Sequence, residues 1–255
     1  KDIFDSLKRK IYKVEGEYTE GDASITTDIS VGIDELLEKL KNSPDAGARF
    51  QGKYFNTVTR GARKGKYYIV SFPSGGGKTR LLLGEACYLA FPMRFSWETM
   101  EWKITGNAEK TLFIATEQAK EEIQTMVVAY LTGINEDVIL YGHFTKEQQT
   151  IIDQAKEVIK KYKNNLMIVQ IPMPSVEIVK SVIRQNCIVN DTKNVFFDYI
   201  FSNPALLNEF RDLRIREDVA LLMLSTALKD LAVEQDVFMM SATQLNSSQD
   251  TNEKG

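Results

Sequence analysis

The chain is poor in the side chains that several kinds of protein chemistry require. Among 255 residues there is one histidine, His143, and two cysteines, Cys87 and Cys187. A Ser-His-Asp triad or a histidine–cysteine zinc site has almost no material to draw on. Both cysteines sit in apolar helical patterns, which reads as buried free thiols rather than a disulfide or a metal pair. No apolar run approaches the length of a bilayer span, and residues 1–15 lack a signal-peptide core. No membrane partner is expected, and the compartment is read as reducing, hence cytoplasmic. Charge of one sign is also missing. The 32 Lys and Arg against 35 Asp and Glu leave a net −3, so composition does not announce a nucleic-acid partner, although a local basic loop would suffice for one. What is present, 43% apolar and 26% charged residues, suits one α/β domain with some extra N-terminal structure.

The stretch Tyr67-Tyr68-Ile69-Val70-Ser71-Phe72-Pro73-Ser74-Gly75-Gly76-Gly77-Lys78-Thr79-Arg80-Leu81-Leu82-Leu83 organises the rest. A short apolar run reads as a buried strand, breaks into a glycine loop, and continues with helical spacing. Glycines let the backbone curl so that successive N–H groups face inward around phosphate oxygens. The first helical turn adds unpaired donors and the positive end of its dipole. Residues 73–80 (Pro73, Ser74, Gly75, Gly76, Gly77, Lys78, Thr79 and Arg80) are thus the candidate nucleotide cradle. Lys78 reaches the β- and γ-phosphates, and the Thr79 hydroxyl holds Mg²⁺. The loop departs from G-x-x-x-x-G-K-[ST] at its first position, which is Phe72. The plainer reading is a glycine-rich turn before a helix.

Ahead of this, residues 2–13 carry Ile3, Phe4, Leu7, Ile11 and Tyr12 on one helical face, and an acidic linker follows over 14–30. A second amphipathic helix is expected over 31–41, ending at Ser43-Pro44. Residues 1–49 are read as N-terminal helices and linker, and 50–255 as one nucleotide-binding domain. In that domain strands are expected at 67–72, 111–116, 166–171, 194–200 and 236–243, each a near-continuous apolar run suited to burial on both faces. Helices are expected over 78–91, 118–132 (ending at Gly133), after a Thr145/Gln148 capping box, from Asn203-Pro204, and over 216–234. Alternation of this kind gives a doubly wound, mostly parallel sheet with helices on both faces.

In such sheets ligands bind outside the carboxyl ends of the strands. Three polar groups stand there: Glu117, Asp198 and Gln244. A carboxylate at Asp198 suits the magnesium shell opposite Thr79; alone it would be an ordinary loop cap. Glu117 is the candidate that orients the attacking water, and it also suits the start of a helix. Gln244 is placed to sense the γ-phosphate, or is simply a polar strand end.

These residues carry a family resemblance. Thr59-Arg60-Gly61-Ala62-Arg63-Lys64-Gly65-Lys66 leading into the strand and the glycine loop resembles the entry to the RecA-like P-loop domain of DnaB-type replicative helicases. So do Thr116-Glu117-Gln118 after a strand, the Walker B-like Val195-Phe196-Phe197-Asp198-Tyr199, and Ser225-Thr226-Ala227-Leu228-Lys229-Asp230-Leu231-Ala232 followed by a strand and Thr243-Gln244-Leu245-Asn246. The resemblance spans about residues 50–246. It implies ATP and Mg²⁺ as ligands, Lys78 and Thr79 on phosphate and metal, Glu117 as catalytic carboxylate, Asp198 on the metal, and Gln244 as γ-phosphate sensor. It further implies a homo-hexameric ring with single-stranded DNA in its channel, other replication proteins as partners, and ATP-driven unwinding.

Where the family lines its channel, this chain offers Arg211, Arg214 and Arg216, interleaved with Asp212, Glu217 and Asp218. That spacing suits DNA contact, a solvated helix face or ion pairs between subunits. The family's arginine finger falls beyond the last residue, so a trimmed domain that binds nucleotide and turns it over slowly is expected. Trp97 and Trp102 could stack on bases, but an insertion packing its aromatics on the core is the better fit. Two other readings stay open: a RecA-fold ATPase that switches, loads or recombines without unwinding, and a small-metabolite P-loop kinase, which would normally carry a basic lid.

Overall fold

Short apolar runs flanked by Gly, Pro and Asn become strands here, and the longer periodic stretches become helices. The protein, seen as a computed structural model, is described over residues 28–42, 44–105, 107–213 and 215–245. The helix expected over 2–13, most of the linker behind it, and Arg214 lie outside these residues. The chain divides into two units, residues 1–45 and 46–255. The first carries helix α1 (Ile33–Asn42), with acids in its first turn and lysines in its last, as the helix dipole favours. Its Ile33, Leu36, Leu37 and Leu40 recur at the spacing that places them on one side.

The second unit begins with α2 (Lys53–Thr59), β1 (Tyr67–Phe72), α3 (Lys78–Ala90), β2 (Met93–Ser96), β3 (Glu101–Ile104), β4 (Thr111–Ala115) and α4 (Lys120–Thr132). It continues through α5 (Glu136–Tyr141), α6 (Lys146–Lys161), β5 (Leu166–Gln170), α7 (Val176–Asn190), β6 (Asn194–Ile200), α8 (Pro204–Glu209), α9 (Glu217–Glu234) and β7 (Phe238–Gln244). Five strands form one parallel sheet in the order β1-β7-β6-β4-β5.

The two-residue period of a strand sorts each side chain to one face. Phe113, Ala115, Phe196, Phe238, Met240 and Ala242 pack under α3, α4 and α6, with Leu82, Ile123 and Ala155. Their neighbours Leu112, Ile114, Val195, Phe197, Val237 and Met239 face α7, α8 and α9, with Val179, Leu206 and Leu228. Phe238 centres the first layer, with ring centroids 5.3 Å from Phe50 and 6.1 Å from Phe196. By the same parity Asp198 and Gln244 share the α3 face with Phe196 and Met240. The pleat alone therefore aims both toward the helix that the glycine loop starts.

Boundary signals hold. Gly133 ends α4 in the left-handed region, and Thr145 with Gln148 closes the capping box of α6. Asn203 caps α8, accepting from the N–H groups of Ala205 and Leu206. Strand ends differ slightly from expectation. β4 and β5 stop one residue early, and β7 starts at Phe238 because Asp236 turns with φ 49°.

The hairpin β2–β3 has no counterpart in the sequence reading, because two four-residue runs behind Pro92 are too short to show a period. It does use the aromatics as the core-packing alternative requires. Phe95 contacts the rings of Trp97 and Trp102. The Trp97 indole donates to Thr132 O on α4 and that of Trp102 to Gln154 Oε1 on α6. Cys87 and Cys187 are free thiols, and burial pushes both up. Among the described residues no helix is long and apolar enough to cross a membrane.

Candidate nucleotide site

The loop between β1 and α3 is shaped by its glycines. Gly75 and Gly77 hold φ of 71° and 85°, and a Cβ built on either would meet no protein atom within 4 Å. A side chain there would be strained and would stand in open space beside the loop. Leu81 N–H makes the bond to Gly77 O that starts α3. The N–H groups of Lys78, Thr79 and Arg80 are therefore first-turn donors without a helical acceptor. With the dipole behind them they form a concave donor surface suited to an anion.

Three strand ends meet this surface. β1 and β7 finish together, with Phe72 opposite Gln244, and Leu245 N–H donates to Phe72 O. Lys78 Nζ donates to Gln244 Oε1 at 3.2 Å. The same ammonium lies 4.4 Å from the centroid of the Tyr199 ring, a cation–π distance. The Tyr199 hydroxyl donates to Glu117 Oε1 at 2.9 Å. A continuous line of side chains thus runs from Gln244 through Lys78 and Tyr199 to Glu117.

Asp198 lies beneath that line, only 1% exposed. Neither of its carboxylate oxygens has a hydrogen-bond partner of good geometry within the described protein. Burial, with the Glu117 charge adding to it, pushes the carboxyl up to about 6, against the Thr79 side chain and the Lys78 ammonium, which favour the ionised form. Two buried acceptors with no donor are costly unless something outside the protein supplies the partner. No cluster of three or more His, Cys, Asp or Glu side chains suited to a metal occurs among the described residues. A magnesium ion here would rest on Asp198, the Thr79 hydroxyl, phosphate oxygens and water, the sparse protein shell that this ion accepts.

Thr116 ties the β4 and β6 ends together, donating from both N–H and hydroxyl to Asp198 O. Glu117 follows β4 and is exposed. The side chain of Arg80 turns to α5, where its Nε and guanidinium reach Glu136 Oε2 at 3.1 Å. Its contribution at the loop is its backbone N–H. Arg211 is exposed on a 3-10 turn, and Arg216 pairs bidentately with Asp218 at 3.0 Å. Tyr199 has no role in the sequence reading, although it stands inside the quoted Walker B-like run. Its signal was an aromatic hydroxyl directly after a strand-end acid.

With the fold and the strand-end constellation in view, comparison with known proteins has one clear outcome. The model of the DnaB-like helicase C terminal domain matches residues 49–254. The chain belongs to this family. A curated relative, the SPbeta prophage-derived uncharacterized protein YorI of Bacillus subtilis (strain 168), is 31% identical over 248 residues. That alignment takes in 96% of this chain and 49% of YorI, so the chain spans about half the length of the curated relative it matches. Two solved structures share the fold at 18% identity. A DnaB-like replicative helicase, solved with attention to its interactions with primase, superposes with TM-score 0.69 over 96% of this chain and 56% of its own. A solved ATPase domain superposes with TM-score 0.67 over 91% of this chain and 76% of its own. This DnaB-like helicase C-terminal domain is thus built on a five-stranded parallel sheet flanked by helices.

Proposed function

We propose that this domain binds ATP with magnesium and hydrolyses it to drive movement along single-stranded DNA, as the motor of a DnaB-like helicase. The observation that carries the reading is the buried Asp198 carboxylate, beside the Thr79 side chain and the Lys78 ammonium but with neither oxygen in a well-formed hydrogen bond, at the mouth of a glycine loop whose lysine meets the ends of β6 and β7. In this reading the loop and first-turn N–H groups of residues 73–80 hold the triphosphate, with Lys78 neutralising its β- and γ-oxygens. Magnesium, when bound at Thr79 and Asp198, would supply charge for the β- and γ-phosphate oxygens. Glu117 holds the attacking water by its carboxylate and takes its proton as the oxygen bonds to the γ-phosphorus, while the bond to the β–γ bridging oxygen breaks and ADP leaves with that electron pair. Gln244, already hydrogen-bonded to Lys78, is placed to register the γ-phosphate at the end of β7. Residues 50–255 act as the ATPase domain and 1–49 as its N-terminal helices and linker. A homo-hexameric ring, single-stranded DNA and other replication proteins (primase is named for the solved replicative helicase) are the partners this reading assigns.

The test is ATP hydrolysis by the chain with and without single-stranded DNA, beside Lys78→Ala and Glu117→Gln. Lys78→Ala is expected to lose nucleotide binding. Glu117→Gln is expected to keep binding and lose about 10²–10⁴ in turnover. Tight ATP binding by Lys78→Ala would sink the cradle, and a fully active Glu117→Gln would remove that residue from the mechanism. Wild-type hydrolysis that ignores DNA, with no salt-dependent DNA affinity, would favour an ATPase switch over a motor.

A further inference from the structure

Glu117 stands beyond the end of β4 on an exposed turn, where a glutamate ordinarily samples several rotamers. Its backbone is held nearby: Gln170 Nε2 donates to Gln118 O, and Ala119 N–H donates to Glu122 Oε2. Its carboxylate is met by the phenol of Tyr199 at 2.9 Å.

Tyr199 is the better anchored of the two. It belongs to β6, its N–H donates to Thr116 Oγ1 at 3.4 Å, and its ring lies against Phe201 with centroids 5.3 Å apart. The half-buried ring also packs on the layer around Phe196 and Phe238. Over the same ring lies the Lys78 ammonium. One aromatic side chain on a rigid strand end therefore touches both the lysine assigned to the phosphates and the carboxylate assigned to the water.

We propose that Tyr199 is a positioning residue, whose hydroxyl fixes the Glu117 carboxylate relative to Lys78 and so to the reacting phosphate. The proposal rests on the ATP-hydrolysis reading above. It assigns Tyr199 no proton transfer and no contact with nucleotide; it acts through Glu117. A positioned general base loses effectiveness steeply when its carboxylate is free to wander, while ground-state binding by the loop is untouched.

The variant that separates hydroxyl from ring is Tyr199→Phe, which keeps the surface under Lys78. A hydrogen bond to a charged group corresponds to about a tenfold effect or more, so kcat for ATP is expected to fall about tenfold. KM, nucleotide affinity and the thermal midpoint are expected to stay near wild type. On a Glu117→Ala background the same change should alter the residual rate by less than about twofold, since its target is gone.

Three results would overturn the proposal: Tyr199→Phe with wild-type kcat, an equal fall on both backgrounds, or a fall in kcat matched by weaker binding. The last two would mark a merely structural tyrosine. A wild-type chain that binds ATP but whose slow turnover does not exceed that of Glu117→Ala would overturn the parent reading as well. Wild-type turnover beside an unimpaired Tyr199→Phe would remove only this inference.

Discussion

An acid buried for a cation's sake should weaken the fold that carries it, and Asp198→Asn measures this. Asparagine keeps the shape of the side chain and removes its charge. In the native chain burial pushes the Asp198 carboxyl up to about 6, against an ordinary value of 3.8. The native state therefore holds this proton more tightly than the unfolded state. The stabilisation this gives is fully present below about 3.8 and is lost as pH rises through about 6. At neutral pH the ionised carboxylate costs the fold about 3 kcal/mol on this basis. The asparagine amide brings N–H donors that also need partners, which lowers the expected gain to about 1–3 kcal/mol. Urea unfolding followed by circular dichroism at pH 7.5 should show the variant more stable by that amount, and the difference should close at pH 4. Magnesium-dependent ATP binding should be lost in the same variant. Equal or lower stability at pH 7.5, or a gain that persists at pH 4, would refute the claim that Asp198 is a desolvated charge awaiting a partner.

Two further outcomes follow from geometry. Gly77→Ala places a Cβ at φ 85° with no protein atom within 4 Å. It is expected to cost about 1–2 kcal/mol in unfolding free energy from backbone strain, with a separate fall in nucleotide affinity read by titration with a fluorescent ADP. Unchanged affinity would place the phosphates elsewhere. Phe238→Ala, at a fully buried position between Phe50 and Phe196, should cost about 3–5 kcal/mol in unfolding free energy, and a loss under 1 kcal/mol would contradict its central place in the α3-side layer.

Much of this was legible from periods within single elements. The strand-loop-helix at 67–83, the near-continuous apolar runs of β4 and β6, the Gly133 stop and the Thr145/Gln148 capping box are all local patterns, set by whichever residues a single strand or turn can bury or cap. The polar groups ending those runs were legible for the same reason, since an apolar pattern does not explain an acid at its edge. The short hairpin β2–β3 was not, because four residues carry too little period. The partner of Arg80 was not either, because Glu136 is 56 residues away and α3 and α5 are brought near each other through α4, which packs on both.

The sequence by itself determined the five strands of the parallel sheet to within a residue or two, and the polar groups beside their ends, because alternation and capping act over a few residues. Only the tertiary structure decided that β7 and β6 lie between β1 and β4, which carries Gln244, Asp198 and Tyr199 into the gap between Lys78 and Glu117. That placement depends on long crossovers and on which faces two helical layers can bury together, and no local pattern contains it.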